Sequence, residues 1–201
     1  MDRILYLGPP APLVQWLAER EKVVKHIEEP LELEQLQAYR PDWIISYNYQ
    51  HILGRAVVEA YRGMIINLHI GYLPWNRGQH PNVWAWLEGS PQGVTIHQID
   101  KGVDTGPILC QLRVPAHKDD TFRTSYERLQ TWIQRLFKSR WLVIKSKEVT
   151  PRAQVSKGTL HRTKDLDAIW HLFSDGFDTP VMDVIDGYKQ FGAVMAGKAR
   201  C

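Results

Sequence analysis

The sequence predicts an α/β fold with a mostly parallel central sheet and helices on both faces. Two observations predict it. Short apolar runs alternate with segments of helical spacing through the first seventy residues, the pattern of strands whose crossovers cover both sheet faces. With 201 residues, 44% of them hydrophobic, the chain can also bury one full-sized core.

The elements follow in order. Residues 4–7, ILYL, read as a buried strand stopped by Gly8-Pro9-Pro10. Residues 13–20 form a short helix with Leu13, Trp16 and Leu17 on one face, and residues 23–27 a second strand. Residues 31–39 carry apolar side chains at helical spacing. A third strand at 43–45 follows the Pro41-Asp42 turn, a helix spans 53–61, and a strand spans 64–68. Beyond it lie a short helix at 82–87 and strands at 93–99 and 108–114, linked by the polar, Gly-containing DKGVDTGP. The longest helix is expected at 121–144, capped by Asp120 or Thr121, with Phe122, Tyr126, Leu129, Trp132, Ile133, Leu136 and Phe137 as its apolar stripe. A basic linker, KSKEVTPRAQVSKG, leads to a last helix at 165–173. No element is assigned after residue 173.

Several function classes are excluded or disfavoured. The formal charge of +3, from 25 basic and 22 acidic residues, is too balanced for a nucleic-acid footprint. The two cysteines, Cys110 and Cys201, give neither a disulfide framework nor a four-ligand zinc pattern, so no metal is expected. The opening MDRILYLGPPAP has too short an apolar run for a secretion signal. No stretch approaches the roughly 20 apolar residues of a membrane span. A soluble cytoplasmic protein with no membrane association is expected. GPPAP after the first strand is not GxGxxG, and GxxxxGK[ST], GxSxG and HExxH are missing from the sequence.

The chemistry-bearing stretch is NLHIGYLPWNRG, residues 67–78. Asn67 and His69 end a strand of an α/β sheet, where ligands bind, and their spacing points both side chains to one face. Spacing alone leaves two readings open, loop capping or an active site. HQIDKGVD at 97–104 adds Asp100 and Asp104 after a later strand. An Asp against His69 would hold its tautomer and raise its basicity, and an Asn beside it could donate to an oxyanion. Neither Ser46 nor Cys110 has a claim as nucleophile. A base and an oxyanion donor without a protein nucleophile imply direct transfer to a substrate amine or to water.

Asn67-Leu68-His69, Leu73-Pro74, Gly78, GVTIHQID at 93–100 and DTGPI at 104–108 resemble the formyltransferases that use N10-formyltetrahydrofolate. The resemblance covers roughly residues 43–111 and implies a Rossmann-like formyltransferase fold. Residues 1–150 would be the catalytic core and 151–201 a short C-terminal extension packed on it. It also implies that Asn67, His69 and Asp104 are the catalytic triad: His69 as base on the attacking amine, Asn67 as oxyanion donor, Asp104 orienting His69. Tyr47, Tyr49, His51, Ile52, Leu53 and Gly54, with Asp100, Gly102 and Val103, would hold the folate. Tyr47 and Tyr49 serve equally as core aromatics. The family usually carries Ser two residues after the histidine, and Gly71 stands there, so pocket detail from Ser-containing relatives does not transfer.

Which amine is formylated is a separate question. The methionyl-tRNA enzymes normally add a C-terminal domain, whereas about 60 residues follow the long helix in this sequence. Phosphoribosylglycinamide formyltransferase, the alternative, usually grips phosphate with a Gly-rich loop after the first strand, and two prolines supply no N–H donors there. The WNRG, PNVWAWLEGSPQGVTIH and GTLHRTKD segments resemble the sugar N-formyltransferases, which formylate an activated or nucleotide-linked amino sugar. Tyr72, Pro74, Trp75, Asn76, Arg77, Gly78, His80, Asn82, His161, Arg162 and Lys164 would then bind that substrate. Trp84 and Trp86 fit helix packing better than ligand contact, and Arg162 fits a solvated surface equally. A non-catalytic sugar- or folate-binding module, or a hydrolase releasing formate, is the contrasting class. The intact triad argues against the module; the hydrolase usually carries an upstream regulatory domain. A homodimer through Trp132, Trp141 and the last helix stands against core packing of the same residues.

Overall fold

The computed structural model describes residues 1–198, with side chains through residue 190; Cys201 lies outside the described residues. The chain forms two compact units, each discontinuous in sequence. The first comprises residues 1–69, 95–111 and 133–155, and the second residues 70–94, 112–132 and 156 onward.

The first unit is built on a six-stranded sheet in the order β2-β1-β3-β4-β6-β7, the last two strands of which also extend into the second unit. Strands β1 (Arg3–Leu7), β2 (Lys22–Ile27), β3 (Trp43–Tyr47) and β4 (Ile65–His69) pair in parallel. Helices α1 (Pro12–Ala18), α2 (Leu33–Tyr39) and α3 (Arg55–Ala60) connect them. Alternation along each strand sends successive residues to opposite faces. Leu5, Leu7, Ile44 and Ile65 accordingly share one cluster with Leu36 of α2 and Val57 of α3. Trp43 and Tyr47 face the other way, toward the C-terminal half of α5 (Phe122–Lys145). The Trp43 and Trp141 rings lie 5.8 Å apart, and Gln134 Nε2 donates to the Tyr47 hydroxyl at 3.1 Å. Helices thus cover both faces, as expected, and Trp141 is core, 1% exposed.

Strand β6 (Gly93–Gln98) departs from the parallel pattern and runs antiparallel to β4. Its register sets Asn67 opposite His97 and His69 opposite Thr95. Strand β7 (Ile108–Arg113) closes the edge.

In the second unit, β5 (Arg77–Gly78) and β8 (Leu160–His161) form a small parallel sheet that the sequence did not announce. Helix α4 (Pro81–Leu87) supplies Val83 and Trp84 to a cluster with Phe122, Leu166 of α6 (Thr163–Asp167), Ile169, Phe173, and Val181 and Val184 of α7 (Val181–Lys198). The expected helix at 165–173 is therefore corrected: α6 ends at Asp167 and a 3-10 turn spans Trp170–Leu172. Helix α7 is a further correction. Gly187, Gly192 and Gly197 lower its helix propensity, whereas burial of Val181 and Val184 favours it. A Cβ at 187 would come within 3.1 Å of Leu172 Cδ2, so the glycine permits a close approach.

The N-terminus of α5 uses both expected capping residues. Thr121 Oγ1 accepts from the Thr124 N–H at 3.1 Å, and Asp120 Oδ1 accepts from the Thr124 hydroxyl at 3.0 Å. One stripe residue is corrected: Tyr126 is 40% exposed. Ser125 is buried instead, accepting a hydrogen bond from Trp86 Nε1 at 3.0 Å. Among the described residues, no helix is long and apolar enough to cross a membrane.

Candidate active site

The pairing of β4 with β6 converts spacing into a polar cluster within the first unit. Asn67 Nδ2 donates to Asp104 Oδ1 at 3.2 Å. His69 Nδ1 faces Asp104 Oδ2 at 3.6 Å, an electrostatic contact longer than a hydrogen bond. The Asn67, His69 and Asp104 side chains are thus neighbours, although the last two are 35 positions apart in sequence. His69 is 6% exposed and the Asp104 side chain 14%, so their contact lies in a poorly solvated setting.

Asp104 reaches the cluster from a shaped loop. Its own φ of 51° is left-handed, a conformation Asp tolerates better than most residues. Asp100 Oδ1 accepts from the Gly102 N–H at 3.0 Å and the Thr105 hydroxyl at 2.6 Å, closing the turn. Gly106 passes against the Gln98 carbonyl so closely that a Cβ would overlap it. Gln154 donates to the carbonyls of Asp104 (2.8 Å) and Gly106 (2.9 Å), holding the loop from outside. A carboxylate so positioned favours the Nδ1–H tautomer of His69, which leaves Nε2 as the basic nitrogen.

His97 completes the cluster. It is 1% exposed, with Nε2 3.3 Å from both Asn67 Nδ2 and Asp104 Oδ1. Sequence reasoning missed it and Gln154. His97 lay inside a quoted motif, but only the antiparallel register sets it opposite Asn67. Gln154 carried no signal beyond its place in a polar linker.

The folate-side expectations fall in the same unit. Tyr47 is buried in the core, and the Tyr49 hydroxyl donates to the Glu29 carbonyl at 2.6 Å. Leu53 is half-buried against the core, while His51, Ile52 and Gly54 are exposed. Gly102 and Val103 are exposed on the Asp104 loop, which Lys101 ties to Glu59 of α3 at 3.2 Å. The segments carrying residues 51–54 and 101–103 lie outside the strands and helices. Burial pushes the Cys110 thiol up, away from a thiolate.

The substrate-side expectations gather in the second unit. Strands β5 and β8 bring residues 77–78 and 160–161, more than eighty positions apart in sequence, into one ladder. Gly78 has φ 85°, and a Cβ there would overlap the His161 carbonyl. Beneath the ladder, Glu88 accepts from Asn76 Nδ2 (3.0 Å) and Thr159 Oγ1 (2.9 Å) through Oε2, and meets His161 Nε2 at 2.7 Å through Oε1. Asn76 is fully buried, and its Oδ1 accepts from Ser90 Oγ at 2.7 Å. The His161 ring stacks on Trp84 with centroids 3.9 Å apart.

Asn82 is also buried and donates to the Phe122 carbonyl at 3.3 Å, a packing role. His80 stacks on Phe177, and burial holds its imidazole below the ordinary value. Arg113 Cζ lies over the Tyr72 ring, 5.4 Å from the ring centroid. Pro74 is half-buried, and Trp75, Arg162 and Lys164 are exposed. Arg77 is half-buried, its Nε without a hydrogen-bond partner among the described residues.

Known proteins share this chain's pattern. A family model described as "Formyl transferase" matches residues 11–140, a stretch that contains Asn67, His69 and Asp104. The formyltransferase PseJ from Anoxybacillus kamchatkensis, solved with UDP-4,6-dideoxy-4-formamido-L-AltNAc and tetrahydrofolate, is 40% identical with a TM-score of 0.86; the match covers 91% of this chain and 97% of that one. Methionyl-tRNA formyltransferase of Halorhodospira halophila is 34% identical over 76% of this chain and 51% of its own length. The dTDP-4-amino-4,6-dideoxyglucose formyltransferase of Mycobacterium tuberculosis is 29% identical over 66% of this chain and 56% of its own. The chain therefore spans about half the length of these two relatives. Because the family match runs through both blocks that build the Asn67–His69–Asp104 cluster, and the sheet is the one its relatives share, this chain belongs to the formyltransferase family.

Proposed function

We propose that this protein transfers the formyl group of N10-formyltetrahydrofolate to the amine of a nucleotide-linked amino sugar. The observation that carries the reading is the 40% identity to PseJ across nearly the whole of both chains. That structure holds a UDP-linked formamido sugar together with tetrahydrofolate. The dTDP-amino-sugar relative supports the same substrate class.

The chemistry follows from the cluster. The amine nitrogen bonds to the formyl carbon, and the carbonyl oxygen becomes an oxyanion that accepts an Asn67 Nδ2 hydrogen. His69 takes a proton from the nitrogen through Nε2, with Asp104 holding Nδ1. As the intermediate collapses, the bond from carbon to N10 breaks and N10 receives the proton. The products are a formamide and tetrahydrofolate. The loops at 51–54 and 101–103 would hold the folate. The β5–β8 ladder, with Arg77, Arg162 and Lys164, would face the charged amino-sugar substrate.

Purified protein with the formyl donor and a panel of UDP-, dTDP- and CMP-linked amino sugars is expected to release tetrahydrofolate only when an amino sugar is present. Formate release without an amine would overturn transfer in favour of hydrolysis. Preferential turnover of glycinamide ribonucleotide would move the assignment to purine synthesis, although Pro9 and Pro10 withhold the donors a phosphate loop needs.

A further inference from the structure

Gln154 commits both of its amide hydrogens to the loop that carries Asp104. Its Nε2 lies 2.8 Å from the Asp104 carbonyl oxygen and 2.9 Å from the Gly106 carbonyl oxygen. Both partners are acceptors, so Nε2 rather than Oε1 must face the loop. That orientation leaves Oε1 buried with no hydrogen-bond partner among the described residues, which carries a cost. The amide is thus oriented by the loop it holds. The backbone that delivers it is anchored as well. The Ile108 N–H donates to the Arg152 carbonyl at 2.7 Å and the Arg152 N–H to the Ile108 carbonyl at 2.8 Å, an antiparallel bridge. Residues 152–154 therefore run beside the end of the loop, at the entry to β7.

The backbone so held is one that needs support. Asp104 has φ 51°, a left-handed conformation that persists where its surroundings impose it. From that position Oδ1 accepts from Asn67 Nδ2 at 3.2 Å and Oδ2 faces His69 Nδ1 at 3.6 Å. Turning the residue would carry its carbonyl off Gln154 and its carboxylate off both partners. Asp100 closes the same turn through the Gly102 N–H and the Thr105 hydroxyl, whereas Gln154 meets the backbone of Asp104 itself. Resting on the formyl-transfer reading above, we propose that Gln154 is a positioning residue of the reaction. By donating to the carbonyls of Asp104 and Gly106, it holds the Asp104 carboxylate against Asn67 and His69 at once. The side chain acts through Asp104 and need not touch the substrate.

Two measurements test it, one independent of substrate. Gln154→Met keeps the side-chain length and removes both donors. Nitrogen-15 spectra of the intact resting protein should show the Asn67 side-chain amide moving in Gln154→Met toward its position in Asp104→Ala. Gln154→His, whose ring can donate near the lost amide nitrogen, should move it part of the way back. An unmoved Asn67 signal in folded Gln154→Met would overturn the proposal, whether or not any amino sugar is turned over. A moved signal without amino-sugar turnover supports the positioning and counts only against the substrate reading. In turnover of a nucleotide-linked amino sugar, Gln154→Met should lower kcat about tenfold or more while KM for that sugar changes little, because a misplaced reacting group slows the chemical step. Thermal unfolding of both variants separates this from loss of fold. Equal kcat for Gln154→Met and wild type, or a folded Gln154→His no better than Gln154→Met, would also overturn it.

Discussion

Asn67 and His69 divide the labour in the proposed transfer, and their substitutions should fail in different ways. Asn67→Ala removes an oxyanion donor, and kcat is expected to fall roughly 10²- to 10³-fold. His69→Ala removes the positioned base, with an expected loss of about 10²-fold or more. Steady-state kinetics with a nucleotide-linked amino sugar check both. Near-normal turnover of His69→Ala would show that the proton leaves the amine by another route. Asp104 is held by its own loop, through Asp100, Gly106 and Gln154, so neither change should unfold the protein.

Among the elements, the β5–β8 ladder depends on one carboxylate. Two residues per strand are too few to be stable alone. Glu88 compensates by tying Asn76, Thr159 and His161 together beneath the ladder. Glu88→Ala removes the carboxylate that Asn76, Thr159 and His161 share. The expected cost is about 1–3 kcal/mol, read as a lower denaturation midpoint at unchanged m-value. The exposed residues Arg162 and Lys164 should show no comparable stability effect when replaced by alanine, since surface substitutions usually change stability little. An unchanged midpoint for Glu88→Ala would mean the ladder is held by its backbone and Trp84 stacking alone.

For the molecule as a whole, acid stability should depend on Glu21. It is 3% exposed and receives hydrogen bonds from Trp141 Nε1 (2.9 Å) and the Asp2 N–H (2.8 Å), with Lys145 paired against the same carboxylate. Burial pushes this carboxyl up, but these donors outweigh it and hold it below the ordinary 4.5. A folded value below the unfolded one means the unfolded chain binds protons first as pH falls. The stability is therefore complete above pH 4.5 and is lost as pH falls through the folded value. Glu21→Gln should flatten that part of the stability-pH curve and also lower stability at neutral pH, because Lys145 loses its counter-charge. Chemical denaturation between pH 3 and 7 checks it; parallel curves for both proteins would locate the acid sensitivity elsewhere.

The sequence by itself determined the alternating first half, the long helix and the residues of the Asn67–His69–Asp104 cluster. Hydrophobic period is a local property, and those three residues lie in two blocks whose order and residue types are legible without a structure. Tertiary structure decided what depends on register and distant partners. The antiparallel turn of β6 brings His97 to Asn67, and no local pattern encodes strand direction. The pairing of residues 77–78 with 160–161, and the use of Asn76 and Asn82 for internal hydrogen bonds, depend on contacts between segments far apart in the chain. Helix α7 forms despite its glycines because Val181 and Val184 find a buried face, a gain that exceeds the local propensity cost only after the second unit has assembled.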